Sequence, residues 1–403
     1  MTAQRPLSAV IAVTCACLVI LLSFGPRSAM GFFQLPMLQD QGWDRTTFGL
    51  AMAIQNLSWG VGQPIFGLIA DKYGTARVLL LGAVLYIAGL IMMALAPTPI
   101  WLHAGGGVLI GLGVAACSFG VVLAAIARLT PPEQRTLAFG LGTAAGSAGM
   151  FIFAPISQGL INAVGWSDSL LALAALMLLI PLLAAPLRGH AGHAAGSGAV
   201  DQSISDALRE ALTTRDYLLL TAGFFVCGFQ VAFITAHFPA YIGDLGLDAQ
   251  WAVIAIALIG LFNILGSLAA GWLGSHYPKP MLLAWIYLAR SATVSVFILL
   301  PASPTGVVLF SIVMGLLWLS TVPPTNSLVA VFFGTRYLGM LGGIVFFSHQ
   351  IGSFLGVWLG GVLYDAIGSY DSVWWLGVAL GIFAAIVHWP IAEKPVPRLA
   401  GAT

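Results

Sequence analysis

Twelve apolar runs, each close to twenty residues or longer, fill most of this chain and leave only short stretches for its charges. They lie near 9–37, 46–70, 77–96, 100–126, 136–163 and 168–186, and again near 217–243, 249–274, 281–300, 305–333, 337–363 and 373–391. About 20 apolar residues are what a helix needs to cross the hydrocarbon core of a bilayer. Inside lipid the backbone must satisfy its own hydrogen bonds, which restricts spanning structures to helices and closed barrels. Barrel strands alternate polar and apolar residues, and these runs do not. The expectation is an all-α membrane protein with twelve transmembrane helices. Composition agrees: of 403 residues, 59% are hydrophobic and 7% charged, with a mean hydropathy of +0.98. A soluble domain carries about 25% charged residues. A net charge of +1 and a pI near 7.7 give no basic surface for nucleic acid; the expected partners are the lipid bilayer and a small molecule.

The four cysteines, Cys15, Cys17, Cys117 and Cys227, all fall inside apolar runs and read as buried thiols rather than a disulfide or zinc framework. The first run starts after Arg5 and passes Gly31 without a small-residue cleavage site, so it reads as a retained helix. Glycine clusters at 105–107, 111–113 and 142–149 sit within apolar spans and lack the Lys-Ser/Thr ending of a phosphate loop. They suit close helix approach. No nucleophile–base pair, metal-ligand spacing or large soluble domain is visible, so no catalytic residue, cofactor or metal is expected, and an enzyme or receptor is disfavoured.

Residues Leu187 to Asp216 form the one long polar interruption, and Ser203–Arg215 within it has helical composition. Ser203-x-x-Asp206 resembles a capping box with Asp in place of Glu. Self-comparison pairs Pro36, Gly67, Tyr73, Gly111 and Gly165 with Pro239, Gly271, Tyr277, Gly315 and Gly368, an offset of 203 or 204 throughout. Two copies of one unit follow: an N-terminal six-helix bundle at 1–186, a linker at 187–216 and a C-terminal six-helix bundle at 217–403. Such pseudo-symmetric repeats place a site between them. Arg5, Lys72, Arg77, Arg128, Arg135, Arg188, Arg209, Arg215, Lys279, Arg336, Lys394 and Arg398 fall in the termini, the linker or even-numbered connections, whereas Arg45 lies on the other side. The positive-inside rule then puts both termini and the linker in the cytoplasm.

Between the second and third runs stands Gly67-Leu68-Ile69-Ala70-Asp71-Lys72-Tyr73-Gly74-Thr75-Ala76-Arg77. It resembles the loop signature of the major facilitator superfamily. The second copy, from Gly271 to Pro280, has Ser275 where Asp71 stands. The resemblance implies the twelve-helix major facilitator fold and a gating role on the cytoplasmic side for Gly67, Asp71, Gly74 and Arg77. Gly31-Phe32-Phe33-Gln34-Leu35-Pro36 followed by Gly42-Trp43-Asp44-Arg45 looks like the monocarboxylate and oxalate/formate exchanger branch. Those relatives usually carry an arginine on helix 8, where Asn263 and Ser267 stand here.

Only Arg27 and Arg290 place charge deep within a span, and no Asp or Glu accompanies them there. A guanidinium at that depth costs at least ~2.5 kcal/mol on the insertion scale, which calls for a water-filled cavity or an anionic partner. With no carboxylate in the spans, a substrate anion is the simplest partner. Arg27 follows Gly25-Pro26, where a kinked helix could face a cavity. For Arg290, on helix 9, packing competes with binding. Gln230, His237 and Tyr241 share one face of helix 7, and Asn56, Asn326, His349, Gln350 and Ser353 add further polar groups. These ten residues are the candidate substrate-binding set, with His237 and His349 the candidates for proton coupling, since histidine titrates near physiological pH. Trp59, Trp251 and Trp318 offer apolar cavity wall, but an interfacial or packing role is the expectation for any one of them.

The expected function is secondary active transport of a small organic anion, a monocarboxylate above all, by alternating access through proton symport or anion exchange. The expected place is the inner membrane, and the expected working unit a monomer. The alternative is a drug/proton antiporter. Those proteins share a G-x-x-x-G-P-x-x-G-G stretch on helix 5, and Gly142-Thr143-Ala144-Ala145-Gly146-Ser147-Ala148-Gly149 lacks its Gly-Pro step.

Overall fold

The computed structural model describes residues 6–118, 120–122, 125–126, 135–187, 203–334 and 338–400; of these, the side chains of 6–9, 68, 71–72, 135–141, 204, 338–339 and 400 are not described. Ten helical runs among the described residues are long and apolar enough to cross a membrane. Gly165, at φ 81° and ψ 171°, divides one of them in two. The helix Arg45–Tyr73 is 29 residues long but is not among the ten. Counting it and the divided run, the described residues give twelve helical passes, consistent with the apolar pattern.

In the first six passes α1 is Pro6–Ser28 and α2 is Arg45–Tyr73. Next come α3 at Thr75–Ala94 and α4 at Ile110–Cys117, preceded by a π-helical turn at His103–Leu109. Gly165 separates α5 (135–164) from α6 (166–177). In the last six, α7 is Arg215–Asp244, α8 Ala249–His276, α9 Lys279–Leu299 and α10 Pro304–Leu317, resuming as Val322–Phe333. The final passes are α11, Leu338–Ile367, and α12, Asp371–His388. Ten residues, Ile204–Thr213, form a helix in the linker, and Ser203 caps it by accepting from Asp206 N–H at 3.1 Å while its hydroxyl donates to the Asp206 carboxylate at 2.7 Å.

Helix ends follow local chemistry. The Asp44 carboxylate accepts from Thr47 N–H at 2.7 Å and starts α2. Gly74, at φ 94°, ends it in a backbone conformation that favours glycine. Three features depart from a simple row of spans. α1 stops two residues after Pro26 and gives way to a 3-10 turn, Met30–Phe33, and the short helix Gln34–Gln41. α10 breaks between Leu317 and Val322, just before Pro323 and Pro324, because proline supplies no N–H to continue the ladder. The π turn in α4 contains Gly105-Gly106-Gly107, where α3 comes so near that a Cβ at Gly89 would lie 2.8 Å from the Gly105 carbonyl.

α1 packs on α5 and α7 on α11, while α2 on α11 and α5 on α8 join the first six passes to the last six. The N-terminus of α2 lies beside the ends of α7 and α11, which defines one side of the bundle. At the opposite side, Arg398 pairs with Glu210 of the linker helix at 3.3 Å, Lys279 pairs with Glu393, and Val396 N–H donates to Phe332 O at 3.0 Å.

Candidate functional site

Near the middle of the seam between the two groups of helices, Arg27 of α1 donates through Nη2 to Asn56 Oδ1 at 2.5 Å. Its guanidinium sits over the Trp59 ring, 4.6 Å from the centroid. Asn56 Nδ2 donates in turn to Met52 O at 2.9 Å, which fixes the amide that holds the arginine. Arg27 Nε is buried and has no hydrogen-bond partner among the described residues. Among the described residues Arg27 forms no ion pair, the pairs there being Arg45–Asp244, Lys279–Glu393 and Arg398–Glu210. A buried, unsatisfied donor on a charged group is costly, and this one can donate to a carboxylate oxygen in the plane of the guanidinium fork.

Gln350 of α11 reaches across the seam and donates to the Asn56 carbonyl at 2.9 Å. Its Oε1 lies 3.0 Å from His349 Nδ1 and accepts from Ser353 Oγ at 3.3 Å. The structure therefore brings together Arg27, Asn56, His349, Gln350 and Ser353 from both groups of helices.

The other predicted residues lie elsewhere. His237 is wholly enclosed: its Nε2 donates to Val357 O at 2.8 Å, and its Nδ1 lies 3.1 Å from Tyr370 Oη and 3.2 Å from Gln34 Nε2. Tyr241 stands in a ring cluster with Phe238, Phe297, Tyr370 and Trp374. Gln230 turns inward, donating to Gly377 O at 2.9 Å and accepting from Arg290 Nη1 at 3.4 Å. Arg290 is fully buried and donates to Leu317 O through Nε at 3.0 Å and Nη2 at 2.6 Å, and also to Trp318 O. It caps the broken end of α10. Asn326 is exposed and donates to Val322 O at 3.2 Å. Asn263, at the helix 8 position, donates to Ser147 Oγ at 3.0 Å and accepts Leu319 N–H at 3.1 Å.

A second constellation, which sequence spacing did not bring together, closes the seam at the outer end of α2. The Arg45 guanidinium grips Asp244 of α7 bidentately at 2.6 and 2.7 Å and donates to Tyr370 Oη at 3.0 Å. It also lies 3.7 Å from the Tyr364 ring centroid. Asp365 of α11 accepts the N–H groups of Arg45 at 3.3 Å and Thr46 at 2.6 Å, and the Thr46 hydroxyl as well. A carboxylate at a helix N-terminus satisfies free N–H groups and complements the dipole. Burial, above all, raises the Tyr370 hydroxyl above the ordinary tyrosine range, with Arg45 pulling the other way. The one available signal was that Arg45 stands alone on its side; partners 199 and 320 positions away follow no spacing rule.

Contacts across the seam run from this latch to the middle. A Cβ at Gly361 would lie 2.6 Å from Arg45 O, at Gly49 3.0 Å from Val357 O, at Gly60 2.7 Å from Gln350 Cβ and at Gly260 2.8 Å from Met150 Cβ. Further toward the linker side, a Cβ at Gly67, Gly271 or Gly343 would meet nothing within 4 Å. The described contacts across the seam therefore run from the Arg45 side to mid-depth. Of the predicted gating residues, Gly67 and Gly74 lie toward the linker side and Arg77 is exposed; the Asp71 side chain lies outside the described residues. Trp59, assigned from sequence to packing, sits directly against Arg27. Its position one helical turn after Asn56 was the signal for it.

A twelve-pass bundle with a polar seam at mid-depth defines a membrane transporter, and comparison with known proteins narrows the class. Residues 15–357 match the profile of the Major Facilitator Superfamily, and the chain belongs to that family. It is 27% identical over 382 residues to an uncharacterized MFS-type transporter, YcxA of Bacillus subtilis (strain 168), covering 91% of each chain. It is 29% identical over 353 residues to monocarboxylate transporter 13 of Bos taurus, covering 84% of this chain and 79% of that one. Among solved structures, a D-xylose-proton symporter superposes with a TM-score of 0.73 at 16% identity, covering 96% of this chain and 100% of the other. A bacterial homologue of the human lysosomal transporter Spinster, inward-facing and unoccupied, superposes with a TM-score of 0.71 at 14% identity, over 96% and 97%. The fold expectation holds, and so does the resemblance to the monocarboxylate transporters.

Proposed function

We propose that this major facilitator protein is a secondary active transporter of a small organic anion, a monocarboxylate, working by alternating access. The observation that carries the proposal is Arg27: a guanidinium at mid-depth on the seam, with a buried Nε that no described residue satisfies and no carboxylate partner among the described residues. A bound carboxylate supplies both the missing charge and the missing acceptor. The names of the monocarboxylate transporter relatives support the same substrate class.

In the proposed cycle, 1–186 and 217–403 rock about the seam, with 187–216 as their tether. The latched Arg45 side, with open space at Gly67, Gly271 and Gly343 toward the linker, suits a state that takes up or releases substrate on the linker side. By the charge pattern that side is the cytoplasm; the proposed membrane is the inner membrane and the proposed working unit a monomer. Asp71 and Arg77 then act when the linker side closes. Of the two candidate coupling histidines, His349 is the one in contact with the Arg27–Asn56–Gln350 group.

A ligand-stabilisation screen of the purified protein with carboxylates, sugars and cationic drugs tests the proposal, because a ligand that binds the folded state raises apparent stability by mass action. Stabilisation by a monocarboxylate, lost in Arg27→Gln, is the expected result. Stabilisation by a cationic drug that survives Arg27→Gln, with no response to any carboxylate, would replace anion transport by drug efflux.

A further inference from the structure

The surroundings of Arg27 bear on what the rest of the anion looks like. Trp59 is held rigidly, its Nε1 donating to Gln63 Oε1 at 2.7 Å and Ser118 Oγ at 3.2 Å. With the guanidinium over its ring, it also meets Phe24 edge-on at 5.4 Å and Phe346 at 5.1 Å, with interplanar angles of 78° and 68°. Phe346 carries the strip onward to His349, stacked 5.6 Å away at an interplanar angle of 9°, and His349 lies 5.0 Å from Phe224. The strip starts at the cation, uses rings from α1, α2, α7 and α11, and crosses the seam at Trp59–Phe346.

A short aliphatic acid bound to Arg27 would use the guanidinium and leave the strip idle. A planar ring on a short arm would present its edge or face to Trp59 and Phe346 at the spacings aromatic pairs prefer. It would also touch both groups of helices at once, so that its binding depends on how they are arranged and can bias that arrangement.

We propose that the transported anion is an aryl-substituted monocarboxylate, with its carboxylate on Arg27 and its ring against the Trp59–Phe346 wall. This rests on the reading of Arg27 as the anion's partner and goes one step past it, to the class of acid carried.

The test measures dissociation constants of the purified full-length protein for propionate, 3-cyclohexylpropionate and 3-phenylpropionate. The phenyl acid is expected to bind about three- to tenfold more tightly than the cyclohexyl acid, through ring–ring contact beyond simple burial, and more tightly still than propionate. Trp59→Leu should abolish the preference for phenyl over cyclohexyl, read as the ratio of their dissociation constants. Gln63 and Ser118 already hydrogen-bond each other at 2.9 Å, so this change strands neither. Phe346→Leu, on the opposite group of helices, gives an independent reading should Trp59→Leu fail to fold. Equal affinity for the phenyl and cyclohexyl acids overturns the aryl proposal. So does propionate binding as tightly as the phenyl acid; in either case, loss of binding in Arg27→Gln leaves the anion reading standing. Failure of every carboxylate to bind overturns both.

Discussion

Two arginines within apolar spans spend their donors differently. Arg290 gives three hydrogen bonds to the Leu317 and Trp318 carbonyls, which α10 leaves open where it breaks. Removing it strands buried carbonyls at a cost of about 1–3 kcal/mol each. Arg290→Met is expected to lower the melting temperature by several degrees while leaving ligand-induced stabilisation unchanged; thermal melts with and without ligand check this, and loss of ligand response at unchanged stability would make Arg290 a binding residue. Arg27 has an idle Nε instead. Arg27→Lys keeps the charge and loses the planar fork, so monocarboxylate uptake should fall by more than about tenfold with normal membrane insertion. Uptake assays at matched protein level would show whether charge alone suffices. The sequence marked both arginines because no carboxylate shares their spans. It could not separate them, since what distinguishes them is a broken helix 27 positions from Arg290 in one case and an amide 29 positions from Arg27 in the other.

Among elements, α2 carries most of the seam. Its N-terminus is held by Asp365, its first side chain by Asp244, and its middle by Gln350. Arg45 and Asp244 are largely withdrawn from solvent, their side chains 10% and 28% exposed, so their pairing outweighs that of an exposed surface pair. Arg45→Ala is expected to shift the population toward the state open at the Arg45 side by about tenfold, equivalent to roughly 1.4 kcal/mol, with Asp244→Asn intermediate. Labelling of a cysteine placed in the seam, from the Arg45 side, reads this directly; unchanged labelling in both variants would show that the pair is no latch. Hydropathy made the spans legible because the bilayer imposes their length. It was silent on the latch, on the break in α10 and on the π turn in α4, which depend on pairing between distant segments or on local backbone adjustment around Pro323 and Gly105–Gly107. The loop signature around Asp71 disclosed the family but not which side of the seam is shut in this structure.

For the molecule as a whole, the described contacts across the seam run from the Arg45 latch to the polar cluster at mid-depth. Coupling belongs at this scale, since a proton matters only through its effect on which side is open. In a proton-coupled cycle, His349→Gln should abolish substrate-dependent proton entry into proteoliposomes, whereas His237→Gln, whose ring is already committed to Val357 and Tyr370, should leave it. A pH-sensitive dye inside the vesicles measures this, and entry that persists in the double variant removes histidine from the coupling path. The central claim is that Arg27 holds a monocarboxylate that crosses the membrane. Counterflow of a labelled monocarboxylate into proteoliposomes, comparing the native protein with Arg27→Gln, tests it most directly. Accumulation driven by unlabelled acid inside the vesicles, abolished in the variant, is the predicted result; equal accumulation in both, or none with any monocarboxylate, would contradict it.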